Sequence, residues 1–111
     1  MDPKSLIIIP TYNEKENVER MIDAVLDLKL DLHLLFIDDN SPDGTAKLIE
    51  LAMKKNPKRI FLEKRAGKLG LGTAYIHGFK WAIEKKYDFV FEMDCDFSHN
   101  PKDLTRLYDE L

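Results

Sequence analysis

The chain has 111 residues, 44% of them apolar and 33% charged, which is the size and balance of one globular domain and excludes a disordered tail. Seventeen basic and 20 acidic residues are interspersed to a net charge of −3, so the electrostatic footprint of a nucleic-acid binder is missing. Cys95 is the single cysteine and excludes an internal disulfide. The uninterrupted apolar runs, such as Leu34-Leu35-Phe36-Ile37, fall far short of the roughly 20 residues that cross a bilayer. No charged-then-apolar leader opens the sequence, and the cytoplasm is the expected compartment.

Four apolar runs alternate with four helical patterns. The first strand is expected at Leu6-Ile7-Ile8-Ile9, stopped by Pro10. A helix follows with Asn13 as its N-cap and Val18, Met21, Ile22, Val25 and Leu26 at helical spacing. The second strand covers about Leu32 to Ile37. A turn at Ser41-Pro42-Asp43-Gly44 leads into a second helix that buries Leu48, Ile49, Ala52 and Met53. A short third strand, about Arg59 to Leu62, precedes an irregular basic stretch from Glu63 to Leu71. The third helix is placed at about Gly72 to Lys85 with Ile76, Phe79 and Ile83 facing inward. The fourth strand spans about Asp88 to Met93, and a fourth helix opens near Pro101. Strands alternating with helices indicate a parallel sheet covered by helices, a single α/β domain over residues 1–111.

In an open parallel sheet, ligands bind outside the carboxyl ends of the strands. The unusual polar residues collect there: Pro10-Thr11-Tyr12-Asn13-Glu14 after the first strand, Asp38 to Gly44 after the second, Asp94-Cys95-Asp96 after the fourth. Two carboxylates two residues apart project to the same side of an extended chain, and hard oxygen donors suit Mg²⁺ or Mn²⁺. A D-x-D step by itself fits a turn as well as a metal site; following Phe89-Val90-Phe91-Glu92-Met93 it gains weight as a ligand-facing strand end. Asp38 and Asp39 fit a capping pair, and Asp39 fits equally an acceptor for a uracil or guanine edge. Tyr12 packs beside a base or stands as a half-buried loop tyrosine.

Flanking carboxylates suppress the Cys95 thiolate, so Cys95 is a space-filler and not a nucleophile. His33, His77 and His99 share no zinc-like spacing, and His99 alone lies near the acidic step. Gly70-Leu71-Gly72-Thr73-Ala74-Tyr75 lacks the third glycine of a dinucleotide fingerprint and does not follow the first strand. A receiver domain would carry its acidic pair after the first strand and a phospho-acceptor aspartate after the third. Neither is present.

Together, Ile9-Pro10-Thr11-Tyr12-Asn13-Glu14, Asp38-Asp39-Asn40-Ser41-Pro42-Asp43-Gly44-Thr45, Lys68 to Tyr75 and Met93-Asp94-Cys95-Asp96-Phe97-Ser98-His99 resemble the family 2 glycosyltransferases. The segment from Lys68 to Gly78 resembles, within that family, the dolichyl-phosphate (polyprenyl-phosphate) mannose synthases. The resemblance implies a GT-A fold with strand order 3-2-1-4, of which this chain is the N-terminal half of the catalytic domain. It further implies that Pro10, Tyr12, Glu14, Ile37 and Asp39 hold the base and ribose of GDP-mannose and that Asp94, Cys95 and Asp96 line its ribose and diphosphate. Asp96 is the implied catalytic residue, and Asp94, Asp96 and Ser98 the implied Mg²⁺ or Mn²⁺ ligands.

The implied reaction is inverting transfer of mannose to a polyprenyl (dolichyl) phosphate at the cytosolic face, with peripheral membrane contact in the complete protein. Alternatives are a nucleotide-sugar-binding module without transfer activity and a family 2 transferase with another donor such as UDP-glucose. The fourth strand, left as a sheet edge, makes self-association of the chain a further expectation.

Overall fold

A computed structural model describes residues 5–27, 32–66 and 70–93. The elements run β1 (Ser5–Thr11), α1 (Lys15–Leu26), β2 (Leu32–Asp38), α2 (Thr45–Lys55), β3 (Ile60–Lys64), α3 (Leu71–Glu84) and β4 (Phe89–Glu92). The expected fourth helix lies outside the described residues. All pairings in the sheet are parallel, in the order β3-β2-β1-β4.

The two central strands are apolar on both faces because both are covered. Ile7, Ile9, Leu34 and Phe36 pack against α1 and α2 together with Val18, Met21, Val25 and Ile49. Their alternating neighbours Leu6, Ile8, Leu35 and Ile37 pack under α3. The result is three layers, with α1 and α2 on one face of the sheet and α3 on the other.

β1 continues through Pro10, beyond the expected stop, and pairs Pro10 with Ile37 and Thr11 with Asp38. Proline is tolerated here for a geometric reason. Ile8 and Pro10 face β4 with their backbone groups, whereas Thr11 faces β2, as Met93 N–H donating to the Ile8 carbonyl and Asp39 N–H donating to the Thr11 carbonyl show. The described β4 register ends at Ile8 opposite Glu92, so Pro10 interrupts no β1–β4 pair among the described residues.

The inward face of α3 differs from the expectation. Ile76 and Ile83 are 56% and 76% exposed, and the buried stripe is Ala74, Gly78 and Ala82, flanked by partly buried Tyr75, Phe79 and Trp81. Hydrophobicity alone misplaced the face. The space between α3 and β1 is narrow, and a Cβ added to Gly78 would lie 2.7 Å from the Ile8 side chain. Small residues at every fourth position let the α3 backbone approach the sheet, while the isoleucines fall on the opposite side of the helix.

α1 also begins differently. Asn13 has φ of 56° and is not the N-cap; Glu14 occupies that position and makes no side-chain cap. The acceptors come from the loop after β2. Asn13 N–H donates to Ser41 Oγ at 2.9 Å, Glu14 N–H to Thr45 Oγ1 at 3.0 Å and Lys15 N–H to Asp43 Oδ2 at 3.1 Å. Asp43 serves both helices, since its Oδ1 accepts the Thr45 N–H at 3.0 Å at the start of α2. Gly44, at φ of 94°, turns the chain between them in a conformation that suits glycine.

Two predictions follow from this packing. Gly78→Ala should lower stability by about 1–3 kcal/mol through overpacking against Ile8. Gly72→Ala, on the same helix with nothing within 4 Å of the added Cβ, should instead raise it by up to about 1 kcal/mol. Urea denaturation of both variants checks the contrast.

Asp43 generates the other. Burial pushes its carboxyl pKa up, but hydrogen bonds from the Thr45 hydroxyl and from the Lys15 and Thr45 amides outweigh this and hold it below its ordinary value of 3.8. A depressed folded-state pKa adds stability above the unfolded value and loses it as pH falls through the folded one. The advantage of the wild-type chain over Asp43→Asn should therefore be full at about pH 6 and shrink at about pH 2.5, as read from denaturation midpoints.

Candidate functional site at the carboxyl ends of the strands

β1 and β2 end at the same register position, Thr11 opposite Asp38, and the chain leaves both at the same end of the sheet. Pro10, Tyr12, Glu14, Ile37 and Asp39 thus come together at adjacent strand ends, where neighbouring strands are about 4.8 Å apart. β4 ends on the other side of β1, with Met93 N–H bonded to Ile8. The sheet order reverses between β1 and β4, so their ends flank a topological switch point. Asp94, Cys95, Asp96, Ser98 and His99 lie outside the described residues, as does Lys68; the last described residue before the acidic step, Met93, is buried.

The acidic residues of the second loop divide by role. Asp38 is 1% exposed and accepts from Thr11 Oγ1 at 2.7 Å, Ser41 Oγ at 2.7 Å and Ser41 N–H at 3.0 Å. It caps no helix; it stiffens its own loop and binds it to β1. Asp43 and Thr45 hold the starts of the two helices. Asp39 is tied differently, by Arg65, whose Nε donates to Oδ1 at 2.6 Å and whose Nη2 donates to Oδ2 at 2.8 Å. Both side chains are more than nine-tenths buried.

Arg65 sits one residue past β3, and its N–H donates to the Asp38 carbonyl at 2.8 Å, which extends the β2–β3 ladder by one step. Its guanidinium also reaches Thr73 Oγ1 at 3.0 Å and the Gly70 carbonyl at 3.2 Å. The sequence marked Arg65 only as part of a basic loop. The available signal was its register: the residue after β3 stands beside the residue after β2.

The remaining expected site residues differ in what they can offer. Tyr12 is 37% exposed, at the rim beyond the end of β1. Glu14 is partly buried and accepts from Asn17 Nδ2 at 3.0 Å. The Ile37 side chain is fully buried beneath α3 and forms floor under the second loop.

His33 and His77 have packing and pairing roles. His33 Nδ1 lies 2.7 Å from the Tyr87 hydroxyl, and His77 Nε2 lies 3.2 Å from Glu63. A cleft of about 400 Å³ lined by His33, Phe61, Trp81 and Tyr87 includes the start of β2, at the opposite end of the sheet from the acidic loops. Among the described residues no cluster of three or more metal-ligating side chains occurs, and no helix is long and apolar enough to cross a membrane.

Known proteins place this arrangement in a family. The model for glycosyl transferase family 2 matches residues 6–111. The polyprenol monophosphomannose synthase of Mycolicibacterium smegmatis is 42% identical over 108 residues, covering 97% of this chain and 41% of that protein. The undecaprenyl-phosphate mannosyltransferase of Micrococcus luteus is 41% identical over 106 residues, covering 96% of this chain and 43% of that protein. The chain therefore spans about two fifths of the length of these relatives.

Among solved structures, a mannosyltransferase from Pyrobaculum calidifontis in complex with GDP-Man and Mn²⁺ superposes with a TM-score of 0.73 at 23% identity, over 86% of this chain and 28% of that one. Residues 1–349 of S. aureus TarS superpose with a TM-score of 0.76 at 23% identity, over 96% of this chain and 32% of that one. These two likenesses bear on the fold and agree with the GT-A arrangement of the four strands. With strands, switch point and family match in agreement, the chain belongs to glycosyl transferase family 2.

Proposed function

We propose that this chain is the donor-binding half of an inverting, metal-dependent mannosyltransferase that takes mannose from GDP-mannose to a polyprenyl (dolichyl) phosphate. The observation that carries the reading is the convergence of the β1 and β2 loops on the switch point that the end of β4 borders, with the D-x-D step following β4 in the sequence. The two relatives, a polyprenol monophosphomannose synthase and an undecaprenyl-phosphate mannosyltransferase, support the acceptor class. The GDP-Man and Mn²⁺ bound by the Pyrobaculum structure support the donor and the metal.

In this reading Tyr12 packs on the base, Asp39 accepts from it, and Pro10, Glu14 and Ile37 shape its pocket. Asp94 and Cys95 line the ribose and diphosphate. Asp94 and Asp96, with Ser98, supply hard oxygen donors that fit Mg²⁺ or Mn²⁺. When bound, such an ion neutralises charge that grows on the departing diphosphate. A phosphate oxygen of the acceptor forms the new bond to the anomeric carbon as the bond from that carbon to the diphosphate breaks and GDP leaves. A phosphate monoester with its second pKa near about 6 is mostly dianionic at neutral pH, so a strong protein base is not required. In this reading the complete protein meets its lipid acceptor by peripheral contact with a membrane, on the cytosolic face.

Calorimetry of GDP, GDP-mannose and UDP-glucose, each with and without Mn²⁺, tests the assignment. GDP-mannose should bind most tightly, with a metal-dependent gain of at least about tenfold that Asp96→Asn removes. Unchanged binding in Asp96→Asn would refute the metal site, and preference for UDP-glucose would refute the donor. Because β3 and β4 are the outer strands of the sheet formed by the described residues, the chain should also self-associate at high concentration; a monodisperse monomer in light scattering would count against this.

A further inference from the structure

We propose that Arg65 is a positioning residue that fixes Asp39 as a single-acceptor reader of the ring N–H that guanine carries at N1 and uracil at N3. The inference rests on the reading of Asp39 as the base-binding carboxylate and adds what Arg65 does to it. Three observations carry it. The fork from Nε and Nη2 meets both Asp39 oxygens, at 2.6 and 2.8 Å, with both side chains buried. The guanidinium is itself held by Thr73 Oγ1 at 3.0 Å and the Gly70 carbonyl at 3.2 Å, and Thr73 Oγ1 donates to that same carbonyl at 2.9 Å. The Arg65 backbone is held by the Asp38 carbonyl. The plane of the Asp39 carboxylate is therefore set by β2, β3 and the start of α3 together.

A fork on both oxygens spends the facing lone pair of each, out of the roughly four acceptor positions of a carboxylate. A base cannot then form a second two-bond fork with the same edge, and the carboxylate meets it through one oxygen. An ionised carboxylate accepts and cannot donate. It suits the ring N–H that guanine and uracil carry and opposes the unprotonated ring nitrogen that adenine and cytosine present at the corresponding edge. It does not separate guanine from uracil, so that choice falls to other residues of the pocket.

The test is calorimetric binding of GDP, UDP, ADP and CDP with Mn²⁺ to the wild-type chain and to Asp39→Asn, Arg65→Lys and Thr73→Val, with a thermal melt of each. GDP and UDP should exceed ADP and CDP by at least about tenfold in the wild type. Asp39→Asn should erase that gap for GDP and UDP alike. Arg65→Lys keeps the charge but loses the fork and should narrow the gap several-fold, with Thr73→Val giving a smaller change in the same direction. General destabilisation would weaken all four nucleotides together and leave their ratios unchanged, so the ratio distinguishes positioning from folding.

No gap in the wild type, or a gap that survives Asp39→Asn, overturns the base-site reading and this proposal with it. A gap lost in Asp39→Asn but kept in both Thr73→Val and a cooperatively melting Arg65→Lys overturns the proposal alone. If Arg65→Lys does not melt cooperatively, an unchanged gap in Thr73→Val is sufficient to overturn it. A loss in Asp39→Asn confined to GDP overturns the single-acceptor assignment.

Discussion

Three successive backbone N–H groups, at Asn13, Glu14 and Lys15, need acceptors at a point where β1 has ended and α1 has not yet begun. A helix leaves its first N–H groups without intrahelical partners, and side-chain acceptors that meet them stabilise the helix start by typically about 1 kcal/mol each. Here the acceptors are Ser41, Thr45 and Asp43, all from the connection after the neighbouring strand. The β1–α1 and β2–α2 loops are consequently one hydrogen-bonded unit, and whatever side chains they carry are held in fixed relation above the sheet.

That unit explains why so polar a motif follows the apolar run Leu34-Leu35-Phe36-Ile37. In Asp38-Asp39-Asn40-Ser41-Pro42-Asp43-Gly44-Thr45, Asp38 holds Ser41 and Thr11, Ser41 and Asp43 hold α1, and Thr45 joins Glu14 to Asp43. Gly44 supplies the left-handed step before α2, and Asn40 takes a second one at φ of 58°. The motif is mostly scaffold. Asp39 is the exception among its carboxylates, because its partner Arg65 comes from the far side of β3 and its hydrogen bonds hold an orientation across loops instead of starting a helix.

How much of this the sequence discloses depends on the distance over which each feature is decided. The strands were legible because a run such as Leu6-Ile7-Ile8-Ile9 is apolar on both faces, which a strand between two helical layers requires. Helices α1 and α2 were legible from the spacing of Val18, Met21, Ile22 and Val25 and of Leu48, Ile49 and Ala52. The face of α3 was not. Its two candidate stripes, one of isoleucines and one of Ala74, Gly78 and Ala82, are chosen by how close Ile8 lies, and that distance is a property of the assembled sheet. The N-cap failed for a related reason: Asn13 has the right chemistry, but acceptors 28 residues away in sequence reach the same N–H groups.

The candidate site divides along the same line. Pro10, Tyr12, Glu14 and Asp39 could be named from one rule, that open parallel sheets bind ligands beyond their carboxyl ends, together with a family resemblance. Arg65 could not, because its significance lies in a cross-strand register that extends Asp38 opposite Lys64 by one residue. A basic residue in an irregular loop reads as solvated surface until the ladder beneath it is known. Once it is known, the same residue becomes a buried guanidinium whose removal would leave a carboxylate uncompensated, a far larger perturbation than the loss of a surface charge. The acidic motif thus has two kinds of aspartate: Asp38 and Asp43, whose partners lie in the motif itself and at the β1–α1 junction beside it, and Asp39, whose partner comes from beyond the end of β3 and is fixed by the order and register of the strands.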